Sequence, residues 1–407
     1  MRECKIVSRK FELKNSHTLD VSLANGGYKA LQKLKEYTPT EIISIIKEAN
    51  LRGKGGGGAG AGDKWSLMPQ DSDKPSFLAV NCDESEPGTF KDRQIITYDP
   101  HLLIEGIIIT CYAIKSKHAY IYIRGEYKEY QEILQGAINE AYKAGFLNEC
   151  DITIHRGAGA YICGEKSALL ESMEGKRGHP RLKPKQKEPE WFFTNPTLVN
   201  NVETISSVPF IVENGAEAYR AFGTQKSPGT LLFAMSGHVN RAGVYEAEFG
   251  TSMMEYINHY GGGIKNGKKL KAIIPGGVSC GVLTAKECET LTLDYEALRA
   301  VGSSLGTGGM IIMDEDTNMI EVLKNILEFY HEESCGQCTP CRDGTGWSDK
   351  IVAKILNGHG TKEDLDKLLE LAETMNGKTI CVFAPSVSTV LVSFISKFRD
   401  EFEAIVS

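Results

Sequence analysis

Three cysteines at two successive gaps of two residues, Cys335, Cys338 and Cys341 in the run ESCGQCTPCRDG, can turn their thiols toward one small volume. Soft thiolates select zinc, copper(I) or iron–sulfur clusters. Three sulfurs on one short turn suit the corner of an iron–sulfur cube better than a zinc tetrahedron, which takes its ligands as two separated pairs. Downstream only Cys381, in TICVFAP, remains to supply a fourth ligand. The four predict a [4Fe-4S] cluster, with zinc as the rival metal. Ordinary buried thiols, the common state of free cysteine, fit the run poorly, because Gly336, Gln337, Thr339, Pro340 and Arg342 make no apolar face.

Other stretches are shaped for a bound nucleotide or flavin. In LRGKGGGGAGAGDKWSLMP the backbone carries almost no side chains, so its N–H groups can approach a ligand closely. Composition alone would equally describe a flexible linker, but Arg52, Lys54, Lys64 and Trp65 bracket the glycines with phosphate-binding charge and a bulky anchor. KPSFLAVNCDESEPGTFKDR reads as a buried strand over 77–80 that breaks into a loop carrying Asn81, Asp83, Glu84, Ser85 and Glu86. Open α/β sheets bind ligands there, beyond the carboxyl ends of their strands. AGAYICGEKSALLESM offers Tyr161 for stacking or hydrogen bonding, and a helix over 165–173 whose N-terminus is a phosphate cradle. Asn200 and Asn201 are adjacent amides suited to a heterocycle's edge, although such a pair also serves as a turn or cap.

The elements that must position these residues alternate. Thr38 or Thr40 caps a helix with a stripe of Ile42, Ile43, Ile45 and Ile46. The strands at 77–80 and 119–125 and the DITIHRG stretch are separated by the helical patterns LLIEGIIITCYAI and EYQEILQGAINEAYKAG, which predicts a parallel α/β sheet. From about 231 the texture becomes a small α+β module with a hairpin and short strands, and 317–407 is mostly helical in pattern.

At 407 residues the chain exceeds one usual core, so two to four domains are expected. A net charge of −7 gives no basic footprint for nucleic acid. The charged start is unlike a secretory peptide, and no apolar run is long enough to span a bilayer. Eleven cysteines spread along the chain point to a reducing compartment, and Cys4, Cys82, Cys111, Cys150, Cys163, Cys280 and Cys288 are expected in the core.

In NCDESEPGTFKDR, RGAGAYICGE, EGKRGHPRLKP, VNNVET and ESCGQCTPCR the chain resembles, in order and over nearly its whole length, the NADH-binding flavoprotein subunit of respiratory complex I and related NAD-linked hydrogenases and formate dehydrogenases. The resemblance implies an N-terminal helical segment and glycine-rich loop at 1–70, a Rossmann-like FMN domain at 71–230, a ubiquitin-like (β-grasp) insert at 231–316, and a helical [4Fe-4S] domain at 317–407. It implies flavin contacts from Gly53, Gly55, Lys64, Asn81, Asp83, Glu84, Ser85, Tyr161, Gly164, Glu165, Asn200, Asn201 and Thr204, with Glu84 and Glu86 near the nicotinamide. Hydride would pass from NADH to FMN and single electrons on to the cluster. A thioredoxin-like [2Fe-2S] partner and further Fe-S subunits would complete a complex peripheral to the inner membrane on its cytoplasmic side.

The departures concentrate at the nucleotide pocket. Where the family has GRGGAGFPTGxKWSF, this chain has GKGGGGAGAGDKWSL, so Ala59 and Leu67 stand for two phenylalanines that hold adenine, and Gln186 stands for a third. Base stacking is worth about 1–3 kcal/mol per aromatic, so NADH binding is expected to be weak unless Trp191, Phe192 or Phe193 swings in. Lys166 replaces a glutamate that bonds the adenosine ribose; with Lys183, Lys185 and Lys187 it would suit a 2′-phosphate, hence NADPH. A third reading has ferredoxin or flavodoxin feeding the flavin.

Overall fold

The computed structural model describes residues 4–183 and 188–406, so the expectations on Lys185, Gln186 and Lys187 lie outside the described residues. Near the start, Pro39–Glu48 forms a helix because Thr38 closes a capping box with Glu41 and Pro39 occupies the first turn. Its Ile42, Ile43 and Ile46 are buried.

Five strands form the first sheet: β1 (Ser76–Cys82), β2 (Ser116–Ile123), β3 (Asp151–Arg156), β4 (Glu190–Phe192) and β5 (Asn195–Asn201). Their order is β3-β2-β1-β5-β4. β2, β1 and β5 run parallel, as do β2 and β3, while β4 pairs antiparallel with β5 at the edge. The chain thus moves from β1 through β2 to β3, then returns to the other side of β1 with β5. That reversal is a topological switch point, and a crevice opens beyond the carboxyl ends of the two strands. Asn81 and Asn201 sit side by side there in register. Strand β5 is not evident from NPTLVNN, since Pro196 and the asparagines disfavour strand; Pro196 is tolerated because it lies next to the strand's first residue.

The helix Pro100–Ala113 is apolar nearly all round and buried on almost every side. It can pack so deeply because Gly106 lets Ile205 of the helix Val202–Ser206 approach, where a Cβ would stand 2.3 Å from the Ile205 carbonyl oxygen. The helix Lys128–Lys143 instead buries one stripe, Leu134, Ala137, Ile138 and Ala141.

The second sheet contains β6 (Thr230–Gly237), β7 (Gly243–Glu248), β8 (Leu270–Ile274), β9 (Leu283–Thr284) and β10 (Gly309–Asp314) in the order β7-β6-β10-β8-β9. β6 and β10 are parallel in its centre and the outer pairs antiparallel, the ubiquitin-like arrangement. The helices Met319–Glu333, Thr339–Lys354, Lys362–Met375 and Phe383–Lys397 follow. One apolar cluster joins Leu323, Leu327, Val387 and Leu391 of this bundle to Ala79 and Val199 of the first sheet and Ile274 of the second. The bundle is therefore seated on both sheets. Among the described residues no helix is long and apolar enough to cross a membrane.

Candidate active site and cluster cavity

The crevice at the switch point opens into a cavity of about 320 Å³, inside the range of about 300–1,000 Å³ usual for cofactor sites. Its floor is the loop after β1, with Asn81, Asp83, Glu84, Ser85 and Glu86; Gly55, Gly56 and Gly57 form one wall; Tyr161, Gly164 and Glu165 form another; and Asn201 closes the end of β5. At Gly55 a Cβ would stand 3.0 Å from the Asn201 Cβ, so the loop lies close against the strand end.

Five residues expected on the flavin or its nucleotide donor lie outside this lining. Gly53 is tied through its N–H to the Ala59 carbonyl and through its own carbonyl to the Tyr295 hydroxyl. The Lys64 ammonium donates to the Val199 carbonyl at 2.5 Å, and burial, aided by nearby Lys166, lowers its pKa to about 8. Asn200 accepts from the Trp65 indole at 3.1 Å, and Thr204 accepts from the Lys54 N–H at 2.9 Å. Lys166 is ion-paired with Glu190. The helix Lys166–Met173 is not an open phosphate cradle either, because the Glu165 carboxylate accepts from the N–H groups of Ser167 and Ala168.

The two carboxylates expected to work on substrate differ sharply. Glu84 accepts from the N–H groups of Lys91 and Asp92, both at 2.7 Å, and so anchors the start of the helix Asp92–Tyr98. Glu86 keeps some accessible surface because it faces the cavity, accepting from the Tyr161 hydroxyl at 2.5 Å and the Ser279 N–H at 2.7 Å. Burial raises its pKa and those two hydrogen bonds oppose the rise. Asp83 is also buried, which raises its pKa to about 7.

Asp83 carries a pH test. Its folded pKa lies above the ordinary aspartate value of 3.8, so the protein bears no penalty while the group is protonated in both states, and the full penalty once pH exceeds the folded value. At about 1.4 kcal/mol per unit the cost is a few kcal/mol. Asp83→Asn should leave the cofactor-free protein's urea midpoint nearly unchanged at pH 3 and raise it at pH 8.

Lys54, expected beside the glycine loop, does line the cavity, and sequence reasoning missed several other wall residues. Lys91 brings a second buried cation, and both lysines are ion-paired to Glu203. Burial opposes the charge on Lys91, but Asp92, Glu203 and Glu84 outweigh it and raise its pKa. Ser279, Ser304, Gly306 and Thr307 reach in from the second sheet's loops. Their signal was the small-residue density of GGVSCG and GSSLGTGG, the same signal that marked the glycine loop.

Cys335, Cys338, Cys341 and Cys381 line one smaller cavity together with Pro180 and Thr379. Gly336, at φ +78°, permits the tight turn between the first two, and Thr339–Lys354 starts directly after Cys338. The Ile380 N–H points at the Cys338 sulfur at 3.5 Å, and the Ser334 hydroxyl lies 3.3 Å from that of Cys341. Among the described residues no group of three His, Cys, Asp or Glu side chains is set to hold a single ion; the sulfurs surround a volume, as a cluster requires. Burial pushes the Cys341 thiol up to about 11 and the Cys381 thiol upward, and the neighbouring sulfurs add to both rises. A metal or cluster bound there would supply the positive charge that lets Cys341 and Cys381 ionise at neutral pH. The other seven cysteines are buried. Ile162, Cys381 and Phe383 line both cavities, so one layer of side chains separates the two.

Residues 46–210 match the Nuo51 FMN-binding domain family, 231–312 the SLBB domain family and 321–405 the iron-sulfur binding region of NADH-ubiquinone oxidoreductase-F. The second NADH-quinone oxidoreductase F subunit of Rhizobium meliloti (strain 1021) is 44% identical over 408 residues, covering 98% of this chain and 97% of that relative. The chain belongs to the family of NADH-quinone oxidoreductase F subunits. The F subunit of Rickettsia bellii (strain OSU 85-389) is 45% identical over 398 residues, 96% of this chain and 95% of the relative. The crystal structure of an NAD⁺-reducing [NiFe]-hydrogenase in the air-oxidized state superposes with a TM-score of 0.87 at 32% identity, covering all of this chain and 67% of that one. Membership makes this chain one component of an oxidoreductase, with an FMN-binding domain and a [4Fe-4S] region.

Proposed function

We propose that the chain is the electron-input subunit of a complex I or NAD-reducing hydrogenase assembly, oxidising NADH and passing electrons toward quinone or an equivalent acceptor. The observation that supports it best is the pair of cavities sharing Ile162, Cys381 and Phe383. When bound, FMN supplies the conversion between two-electron hydride chemistry and one-electron transfer. The chain's own groups do the positioning. Lys54 and Lys91 line the cavity beside the glycine loop with their charge shared by Glu203, and Asn81 and Asn201 offer amides at the strand ends. Glu86 presents a carboxylate whose remaining lone pairs suit a carboxamide N–H, while Glu84 holds the loop rather than the substrate.

The donor is NADH rather than NADPH, because the charge of Lys166 is already balanced by Glu190. Its affinity is low. Trp191 and Phe193 lie in a surface groove with Lys74 and Arg181, and Phe192 is packed against Phe77 and Tyr120, so none supplies the missing platform at the flavin cavity. Anaerobic titration of the FMN-loaded protein should show NADH bleaching the flavin, at concentrations at least tenfold above those needed by a relative with the three phenylalanines, and NADPH doing so more weakly. Bleaching by dithionite but by neither nucleotide would instead establish the carrier-fed reading. A thioredoxin-like [2Fe-2S] protein is the fitting partner, with the assembly on the cytoplasmic face of the inner membrane.

A further inference from the structure

The loop that carries Asp83 to Thr89 is gripped along its length by two loops of the second sheet. The Ser279 N–H donates to Glu86, the Val278 N–H donates to the Pro87 carbonyl at 3.3 Å, and the Thr89 and Thr307 hydroxyls meet at 2.5 Å. Packing is equally close. A Cβ on Gly277 would stand 2.3 Å from the Glu86 Cγ, and one on Gly309 would stand 2.4 Å from the Thr89 hydroxyl. These contacts join residues about two hundred positions apart, and they meet only where the β-grasp insert overhangs the flavin cavity.

We propose that the β-grasp insert is a positioning element of the flavin site, in which Gly277, Ser279 and Thr307 clasp the catalytic loop and hold the Glu86 carboxylate against Tyr161 and out of the flavin's volume. The proposal rests on the FMN reading of the cavity and not on the identity of the donor. Gly277 on one side and the Tyr161 hydroxyl on the other bracket the Glu86 side chain, which lines the cavity and also borders a surface groove with Arg124 and Phe329. A side chain added at Gly277 must displace Glu86 from its hold on Tyr161, and so disturbs a carboxylate that lines the cavity. The insert's loops thus set both the shape of the flavin site and the orientation of the acceptor that faces the donor.

The test uses full-length protein carrying its cluster, stripped of FMN and titrated with FMN by fluorescence quenching. Gly277→Ala should weaken FMN binding at least tenfold. In the Glu86→Ala background, where nothing remains to be displaced, the same substitution should have no further effect. An equal loss in both backgrounds, or no loss in either, overturns the proposal. Because φ at Gly277 is +98°, alanine there is also strained, so a second variant stands ready if Gly277→Ala does not fold. Thr307→Val should weaken FMN binding a few-fold and Thr307→Ser should restore it; unchanged binding in Thr307→Val would overturn the clasp. Failure of NADH to bleach the wild-type flavin would refute the donor reading while leaving these FMN affinities to decide the clasp.

Discussion

Cys381→Ser is expected to strip the [4Fe-4S] cluster and to cut electron delivery from reduced flavin to a one-electron acceptor at least a hundredfold, while FMN still binds within a few-fold of the wild-type affinity. Cys381 joins Cys335, Cys338 and Cys341 around one cavity and also lines the proposed flavin cavity. A serine oxygen is harder and far less acidic than a thiol, so it does not replace a soft ligand to iron. The measurements are iron, acid-labile sulfide and zinc per chain, with dithionite titration of the flavin. Cys163→Ser is the control: that thiol is buried and lines neither cavity, so iron should stay at the wild-type level. Zinc in place of iron and sulfide in the wild type would restore the zinc reading of the four cysteines. If Cys381→Ser kept its full cluster, the fourth ligand would have to be sought elsewhere.

The meeting of the four cysteines at one cavity was legible because local spacing nearly determines where three of them go, and only one cysteine remained downstream. The parallel sheet was legible for a related reason, since the runs that became β1 and β2 are buried and β-rich over consecutive residues. The flavin wall was harder to read. Asn200 and Asn201 are neighbours in sequence, yet alternation along β5 sends one amide to Trp65 and the other into the cavity. Lys64 looks like a phosphate ligand in a linear reading, but its ammonium is spent on the Val199 carbonyl. Glu84 and Glu86 have the same type and differ in role through one turn of backbone, which aims the first at a helix N-terminus and the second at the cavity. For Ser279 and Thr307 the small-residue runs marked a loop but not its partner, which lies in another domain, and no periodicity encodes that contact. The aromatic rescue by Trp191 or Phe193 fails for a geometric reason as well. The tight turn at Phe193 and Thr194, both at positive φ, holds Phe193 on the hairpin's outer face.

Glu203→Gln should lower the stability of the protein by about 3–5 kcal/mol, the cost of breaking a buried ion pair from one side. Glu203 is fully buried and serves two cations, Lys54 at 3.3 Å and Lys91 at 2.8 Å, while also accepting from the Leu232 N–H at 2.9 Å. Lys91 retains Asp92 at 2.8 Å after the change. Lys54 does not fare so well, for its other polar contact is the Ser207 hydroxyl at 2.7 Å, which is neutral. The loss therefore falls on Lys54, left as a charge without a carboxylate in the protein interior. This predicts both a rescue and a pH signature. Lys54→Met added to Glu203→Gln removes the stranded charge and should recover most of the urea midpoint, whereas two unrelated lesions would add. An unpaired buried lysine has a folded pKa below its unfolded value of about 10.4. Its penalty is then full below the folded pKa and fades as pH rises toward the unfolded one. The midpoint gap between wild type and Glu203→Gln should accordingly narrow between pH 7 and pH 10. A gap that stayed constant over that range would assign the loss to the Leu232 hydrogen bond instead, and with it the hold of Val202–Ser206 on the first strand of the insert.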